Sequence, residues 1–355
     1  MRIGILTLPL RCNYGGILQA YALQEFLTRE GHEVTVLNRQ RNATDENLGS
    51  RLFNFVSQEL MHHNLQQFIH AHIHQTSVLR SEESLRKAAS GLDAVIVGSD
   101  QVWRLDYINK VERNYFLDFV DSPCRRIAYA ASFGIGHWDA PAALTHDVAD
   151  CLKGFTAISV REQDGVRLCQ EAFGVKAVQV SDPTLLFDHT FYEGLIEKTH
   201  KATAPTLFYY LLGNKRQWWP LIDGLAERLQ LTPRTVNADF ELSIGKFNFT
   251  HYPTPDRWVE GIRQASFIVT DSFHGTVFAL LFGKPFVVLE NQSGGISRIH
   301  SLLSHYGLSD RLVSPETLSD MSTDNLLHSI SYGEVTPRIE ADRLAAANFL
   351  RQALR

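Results

Sequence analysis

Short apolar runs alternate along the chain with longer stretches in which apolar residues recur at helical spacing. The short runs are rich in β-branched residues or alanine and almost continuously apolar, which is typical of strands covered on both faces of a sheet. They therefore predict a parallel sheet with helices packed on each side. Six such runs precede residue 185, namely RIGILTL, EVTVL, DAVIV, RIAYAAS, TAISV and AVQVS.

The stretch GGILQAYALQEFLTREG between the first two runs has the pattern of an amphipathic helix. Leu18, Ala22 and Phe26 follow one another at intervals of one helical turn, so they share a face. Gly31 stands where a helix commonly ends in a left-handed residue. Strand, helix and strand together predict a βαβ unit.

A second series of the same kind follows residue 205, with the runs TLFYYLL, RTVN, SFIVT and PFVVLE. Within it, Thr254 is a predicted N-cap, Pro255 the first helical residue, and Trp258 and Ile262 the buried face. The polar join at 197–205 ends in proline and is the best candidate linker. The pattern predicts two doubly wound α/β domains.

Composition narrows the classes of partner. The formal net charge is -5 and no block of lysines or arginines is present, which argues against nucleic-acid binding. The cysteines Cys12, Cys124, Cys151 and Cys169 are widely spaced, which argues against a zinc ribbon or a disulfide framework and favours a reducing cytoplasm. The apolar start is too short for a signal peptide, and no run is long enough to span a membrane.

Sites in doubly wound sheets gather at the carboxyl ends of the strands. The segment RCNYGG after the first strand offers Asn13, and Gly15 and Gly16 would let a ligand approach the backbone before the helix N-terminus. A plain tight turn is the alternative for the glycines. The segment is not GxGxxG, and the second strand ends without an acid for a ribose, so we expect no dinucleotide cofactor.

An acid and an indole follow the strand in VIVGSDQVW. Asp100 beside Trp103 resembles a sugar-binding edge, because sugar rings stack on aromatic side chains while acids hold hydroxyls. Asp100 as a simple helix cap is the alternative. Both interpretations stay open on the sequence alone.

Arg161 in TAISVREQDGV emerges at the end of another strand. Its guanidinium is a rigid fork that suits a carboxylate or a phosphate. An ion pair with a neighbouring acid is the alternative. We favour an anion-binding role because the position faces the expected cleft.

The segment TDSFHGTVFALLFGKPFVVL predicts a strand end, a turn and a helix, with His274 on the turn. Ser272, Gly275 and Thr276 around it form a small, polar, anion-friendly environment. Histidine has an ordinary pKa of about 6.5, close to physiological pH. We therefore interpret His274 as a general acid or base in preference to a buried structural histidine.

The chain resembles the polysaccharide pyruvyl transferase family over nearly its whole length. The resemblance rests on GILTLPLRCNYGGILQAYAL, DAVIVGSDQVW, YAASFG, ISVRE, SDPTLL and TDSFHGTVFALLFGKPFVV, which occur in family order. It implies two Rossmann-like domains in a GT-B-like arrangement, at 1–198 on the acceptor side and 205–335 on the donor side. It also implies a C-terminal helix within 336–355 that crosses back to the first domain.

The resemblance further implies transfer of a pyruvyl group from phosphoenolpyruvate to two hydroxyls of a sugar in a surface or capsular polysaccharide or its precursor. A cyclic ketal forms and phosphate is released, without a metal or redox cofactor. His274 would be the general acid and Arg161 an anion-holding residue. The acceptor would be a sugar or a lipid-linked saccharide, which leaves room for transient contact with a membrane.

One departure from the family concerns the donor site. Many members read Arg-Leu-His where this chain has Ser272, Phe273 and His274, so another cation is expected to bind the donor. Arg298 is the first choice and Lys284 the second. Asp100, Asn13 and the glycines complete the predicted substrate-binding set.

Two other interpretations were weighed. The histidines of HHNLQQFIHAHIH cannot all share a helix face and no acid accompanies them, so we expect a packed helix and no metal site. A GT-B nucleotide-sugar glycosyltransferase or epimerase, or a non-catalytic relative, is the rival function. Such enzymes usually carry a glutamate in the helix after His274, where this chain has only apolar residues at 277–281.

Overall fold

A computed structural model describes residues 1–11, 13–40, 62–108, 113–196, 204–213, 215–236, 241–244, 247–250, 252–290, 296–328 and 330–355. The chain divides into two compact units. The first comprises Met1–Gln58, Gln66–Leu186 and Asp342–Arg355, and the second comprises Glu59–Leu65 and Phe187–Ala341. The predicted linker at 197–205 lies outside the described residues except for its last two positions.

The first unit is built on a six-stranded parallel sheet with the strand order β2-β1-β3-β4-β5-β6. Its central strand β3 is buried throughout, as its continuous apolar run predicts. The strands are β1 (Arg2–Leu6), β2 (Glu33–Val36), β3 (Ala94–Val97), β4 (Arg125–Ala131), β5 (Ala157–Val160) and β6 (Val178–Gln179). Each of the six predicted runs supplies one of them.

Helices separate these strands in the sequence. They are α1 (Tyr14–Arg29), α2 (His63–His72), α3 (Glu82–Ala89), α4 (Leu105–Ile108), α5 (Ala142–Lys153) and α6 (Gln163–Phe173), with 3₁₀ turns at Asn114–Phe116 and Pro183–Leu186. Helix α1 buries the predicted apolar face, and Gly31 after it has a φ of 87°, in the left-handed region.

The second unit has a five-stranded parallel sheet with the order β13-β12-β11-β7-β8 and a separate antiparallel pair, β9 with β10. Its strands are β7 (Thr206–Tyr210), β8 (Thr232–Arg234), β9 (Glu241–Ile244), β10 (Phe247–Thr250), β11 (Phe267–Thr270), β12 (Phe286–Leu289) and β13 (Leu312–Val313). Its helices are α7 (His189–Glu193), α8 (Trp219–Arg228), α9 (Pro255–Gln264), α10 (Phe273–Leu281), α11 (Ile296–Tyr306), α12 (Pro315–Asp320) and α13 (Thr323–His328), with 3₁₀ turns at Lys215–Trp218 and Ser309–Arg311.

A long helix, α14 (Tyr332–Ala353), is the last element that the structure describes. The residues from Asp342 onward belong to the first unit. Arg351 binds Glu30 through two hydrogen bonds of 2.8 and 2.9 Å. Arg125 donates to the carbonyl oxygens of Ala353 and Arg355. These contacts fasten the last residues of the helix to the first unit.

The histidine-rich segment behaves as a packed helix. Leu65, Phe68, Ile69 and Ile73 are buried, and the ring of His72 lies 4.4 Å from that of Phe68. Among the described residues, no group of three or more His, Cys, Asp or Glu side chains is placed to hold a metal ion. In the same part of the chain, no helix is both long and apolar enough to cross a membrane.

Candidate active site

The N-terminus of α1 is closed by its own cap. The side chain of Asn13 accepts a hydrogen bond of 3.2 Å from the backbone N–H of Gly16. A methyl group at Gly16 would lie 3.7 Å from Oδ2 of Asp100, so the carboxylate of Asp100 stands close to the first turn of the helix. Gly15 is buried in the same turn. The structure therefore brings Asn13, Gly16 and Asp100 together, with Asn13 acting as a helix cap.

Arg161 lies in an ion-pair network at the carboxyl edge of the first sheet. Its side chain is only 1% exposed, and its Nη1 atom is 2.7 Å from Asp182 while its Nη2 atom is 3.4 Å from Asp100. Burial alone would lower the pKa of Arg161, but attraction to Asp182, Asp100 and Glu162 outweighs it and raises that pKa. The ion pair considered as the alternative for Arg161 is thus present.

Asp182 is the member of this network that sequence reasoning did not place in the site. The Oδ1 atom of Asp182 makes local contacts, since it accepts hydrogen bonds from the backbone N–H and the hydroxyl of Thr184. Its Oδ2 atom also accepts from Arg161 and from the Ser99 hydroxyl. The local signal was visible in the sequence, whereas partners 21 and 83 residues away were not.

Trp103 cannot stack on a sugar in the sugar-binding edge considered for Asp100 and Trp103, because its side chain is buried. The indole of Trp103 is fully buried, donates to the carbonyl of Tyr115 and stacks on Phe116 at 5.5 Å. It is a core residue, because aromatic neighbours from distant parts of the chain enclose it. Asp100 is not the N-cap of the next helix, because α4 begins only at Leu105, and its Oδ1 atom accepts from the backbone N–H of Gln101.

In the second unit, the turn after β11 begins α10 as predicted. Ser272 is the N-cap, and its side chain accepts from the backbone N–H of Gly275 at 3.3 Å. The hydroxyl of Thr276 donates to the carbonyl of Ser272 at 3.0 Å. The polar groups of Ser272, Gly275 and Thr276 therefore hold the helix start in shape, and His274 occupies the second helical position.

His274 is buried, with 3% of its surface exposed. The ring of Phe273 lies edge-on to it at 5.3 Å, and the guanidinium carbon of Arg298 lies 5.4 Å from the centre of the Phe273 ring. The two distances place the guanidinium within about 11 Å of the imidazole. Arg298 is itself buried, in the first turn of α11, and its contact with Phe273 is of the cation–π type.

Lys284 does not approach His274. It follows the C-terminal end of α10 and precedes β12, so it lies at the amino edge of the sheet, whereas His274 lies at the carboxyl edge. A nine-residue helix is about 13 Å long and separates the two. Burial and the charge of Arg263 lower the pKa of Lys284. Of the two cations expected to replace the family arginine, only Arg298 lies beside the His274 turn.

The turn is also tied to the neighbouring strand. The carboxylate of Asp271, one residue before the N-cap, accepts hydrogen bonds from the backbone N–H groups of Leu212 (2.6 Å) and Gly213 (2.9 Å). These residues follow β7, which pairs with β11. The loop after β7 and the turn that carries His274 are therefore held together at the edge of the sheet.

Solved structures with a similar fold include GT-B glycosyltransferases and epimerases. A UDP-GlcNAc 2-epimerase from Neisseria meningitidis bound to UDP-GlcNAc aligns over 100% of this chain and 99% of its own, with a TM-score of 0.53 and 11% identity. A ugt transferase from Siraitia grosvenorii in complex with UDP aligns over 100% of both chains, with a TM-score of 0.51 and 12% identity. This likeness confirms the predicted α/β fold of two Rossmann-like domains.

Sequence comparison identifies the family. No curated protein matches the chain. The family model described as polysaccharide pyruvyl transferase matches residues 13–293, a span that includes Asn13, Asp100, Arg161 and the turn of His274. The chain therefore belongs to the polysaccharide pyruvyl transferase family.

Proposed function

We propose that the protein transfers the pyruvyl group of phosphoenolpyruvate to two hydroxyls of a sugar, forming a cyclic ketal and releasing phosphate. The acceptor is a sugar of a surface or capsular polysaccharide, free or as a lipid-linked precursor. The observation that carries the proposal is His274 in the first turn of α10, inside the family match, beside a guanidinium held on the adjacent ring of Phe273.

The reaction requires an acid that protonates the methylene carbon of phosphoenolpyruvate and a positive charge that binds its anionic groups. His274 donates a proton to the methylene carbon of phosphoenolpyruvate, and the first sugar hydroxyl attacks the adjacent carbon, which carries the developing positive charge. Phosphate then leaves and the second hydroxyl closes the ring. Overall, one hydroxyl proton is transferred to the new methyl group and the other to the phosphate. His274 ends the reaction with its proton replaced.

Arg298 supplies the positive charge for the donor. A guanidinium binds carboxylate and phosphate oxygens through paired N–H groups, and its burial strengthens that attraction. The phenyl ring of Phe273 restricts where the guanidinium can lie. Arg298 would thereby do the work of the arginine that many family members carry at the position of Ser272.

The rival reaction is transfer from a nucleotide sugar, because the two solved structures of similar fold were determined with UDP-GlcNAc and with UDP. The helix after His274 bears on that rival. Residues 277–281 are apolar and buried, and none of them is an acid that could hold a ribose. This composition favours phosphoenolpyruvate over a nucleotide sugar as donor.

The direct test is phosphate release from phosphoenolpyruvate with galactose-, glucose- and mannosamine-type acceptors, followed by mass analysis of the product. The expected product is heavier than the acceptor by one pyruvyl ketal. Thermal unfolding with each donor is the companion measurement, because a ligand that binds the folded state raises the unfolding temperature. Protection by UDP-sugars alone would replace the proposal with the rival reaction, and protection by neither donor would indicate a non-catalytic relative.

A further inference from the structure

Two positively charged side chains lie at the amino edge of the second sheet, which is the edge opposite His274. Arg263 is in the last turn of α9, which leads into β11, and Lys284 stands two residues before β12. The strands β11 and β12 are neighbours, and the backbone N–H of Ile268 donates to the carbonyl of Pro285 at 3.0 Å. The two cations therefore stand at the entrances of adjacent strands whose backbones are bonded to each other.

Neither cation is paired with an acid. Both side chains are half-buried, and the Nε atom of Arg263 is buried without a hydrogen-bond partner. Within the part of the chain that the structure describes, no carboxylate oxygen lies within 4.0 Å of the charged nitrogens of Arg263 or Lys284. Burial of a charged group is unfavourable unless a partner compensates for the lost water, so this pair of side chains carries an unmet demand for an acceptor.

The two positive charges are close enough to repel each other. Burial lowers the pKa of Lys284, and the charge of Arg263 lowers that pKa further. Glu193 in α7 raises the pKa of Lys284, but the two side chains do not form an ion pair among the described contacts. Helix α7 packs against α9, which brings Glu193 to this edge of the sheet. An anion bound to both cations would relieve their repulsion.

The C-terminal ends of α9 and α10 account for only part of this arrangement. A helix end carries partial negative charge and favours a nearby cation, which binds it through hydrogen bonds to the last carbonyl groups. Arg263 donates to none of the carbonyls that the structure describes. After α10, the carbonyls of Ala279 and Lys284 accept from the hydroxyl of Tyr332 instead, at 3.4 and 2.5 Å. The helix ends explain why a cation is tolerated here, but they leave its hydrogen-bond donors unused.

We propose that Arg263 and Lys284 form a second anion-binding site and that its ligand is a phosphate group, free or carried on a small molecule. A guanidinium and an ammonium group on separate segments need several oxygens around one centre, and a tetrahedral phosphate supplies more of them than a carboxylate does. Arg263 binds the ligand through its N–H groups, and Lys284 binds it through its ammonium group. The length of α10 separates this site from His274, so the inference goes beyond the proposed function and does not depend on it.

The test measures dissociation constants by equilibrium dialysis at constant ionic strength, with labelled sulfate and inorganic phosphate as the probes. Sulfate is included because its charge does not change near neutral pH. We expect Arg263→Met and Lys284→Met each to weaken the binding of both probes at least about fivefold. We expect Glu193→Gln to strengthen it at least about twofold, because a nearby negative charge is removed. Lys153→Met is the matched control, since Lys153 is 61% exposed and pairs with Asp150, and its loss should leave the dissociation constants unchanged.

Several outcomes would overturn the proposal. Unchanged binding by Lys284→Met would do so, and so would equal weakening by the Lys153→Met control, which would indicate an effect of net charge alone. Arg298→Met removes the cation beside the His274 turn, and complete loss of binding in that variant would show that the donor site is the only anion site.

Two further measurements keep the result decisive. Without the anion, Lys284→Met should unfold at no lower temperature than the wild type, because it removes a half-buried unpaired charge, and phosphate should then raise the unfolding temperature of the wild type more than that of the variant. An equal rise in both proteins would contradict the site. Competition by phosphoenolpyruvate and glucose 1-phosphate identifies whether a phosphate ester or free phosphate is the better ligand. Pyruvate binding as tightly as phosphate would overturn the assignment of a phosphate group.

Discussion

Substitution of Gly275 by alanine tests whether the His274 turn depends on close packing against β11. A methyl group at Gly275 would lie 2.3 Å from the Thr270 hydroxyl oxygen and 3.0 Å from its Cβ atom. That hydroxyl donates to the carbonyl of Tyr210 at 2.7 Å and accepts from the N–H of Ser272 at 3.1 Å. Rotating it away sacrifices two hydrogen bonds, each contributing about 1 kcal/mol, and moving the helix instead costs about 1–3 kcal/mol.

We therefore expect Gly275→Ala to lower the free energy of unfolding by about 1–3 kcal/mol, measured by urea denaturation. We also expect kcat to fall at least about tenfold, because His274 moves with the helix start. In a Thr270→Ala background, Gly275→Ala should cost less free energy of unfolding than in the wild type, since the closest atom is already absent.

The matched control is Gly224→Ala in α8, where no atom lies within 4 Å of the added methyl group. This change should stabilise the protein by about 0.5–1 kcal/mol, because alanine is the better helix former. The packing explanation would be refuted if Gly275→Ala had the same urea midpoint as the wild type. It would also be refuted if Gly275→Ala cost as much free energy of unfolding in the Thr270→Ala background as in the wild type.

Three further results are expected. His274→Ala should lower kcat about a hundredfold or more, and unchanged turnover would remove its role as general acid. Arg298→Met should raise the KM for phosphoenolpyruvate at least about tenfold, whereas Lys284→Met at the other edge of the sheet should not change it; equal effects would exclude a specific role for Arg298. Burial raises the pKa of Cys169 to about 12, so iodoacetamide at pH 8 should leave it unmodified until the protein is unfolded, as peptide mass analysis can establish.

The sequence predicted those features that depend on neighbours along the chain. Apolar runs located the six strands of the first sheet and β7, β11 and β12 of the second, and the N-cap at Thr254 appears where the local pattern places it. Helix α10 begins directly after β11 as the pattern predicts, although His274 lies within its first turn and not on the loop before it. Such signals are local because a helix start is decided within four or five residues.

Features that depend on distant residues were missed or misassigned. Trp103 is buried because Tyr115, Phe116 and Phe133 enclose it, and nothing in its own segment indicates that. Arg161 meets Asp182 only through the pairing of strands. Lys284 follows His274 closely in the sequence, yet an intervening helix takes it to the opposite edge of the sheet.

The return of the chain at Asp342 has a consequence for how the protein is made. The first unit is discontinuous, since Asp342–Arg355 complete it only after the second unit has been synthesised. During synthesis on the ribosome, the surface around Glu30 and Arg125 stays exposed until the second unit and the last helix have been translated, because that surface contacts the last helix. A fragment cut at the predicted boundary near residue 198 would keep that surface exposed permanently, so genetic dissection of the protein should retain the final helix, joined by a linker if necessary.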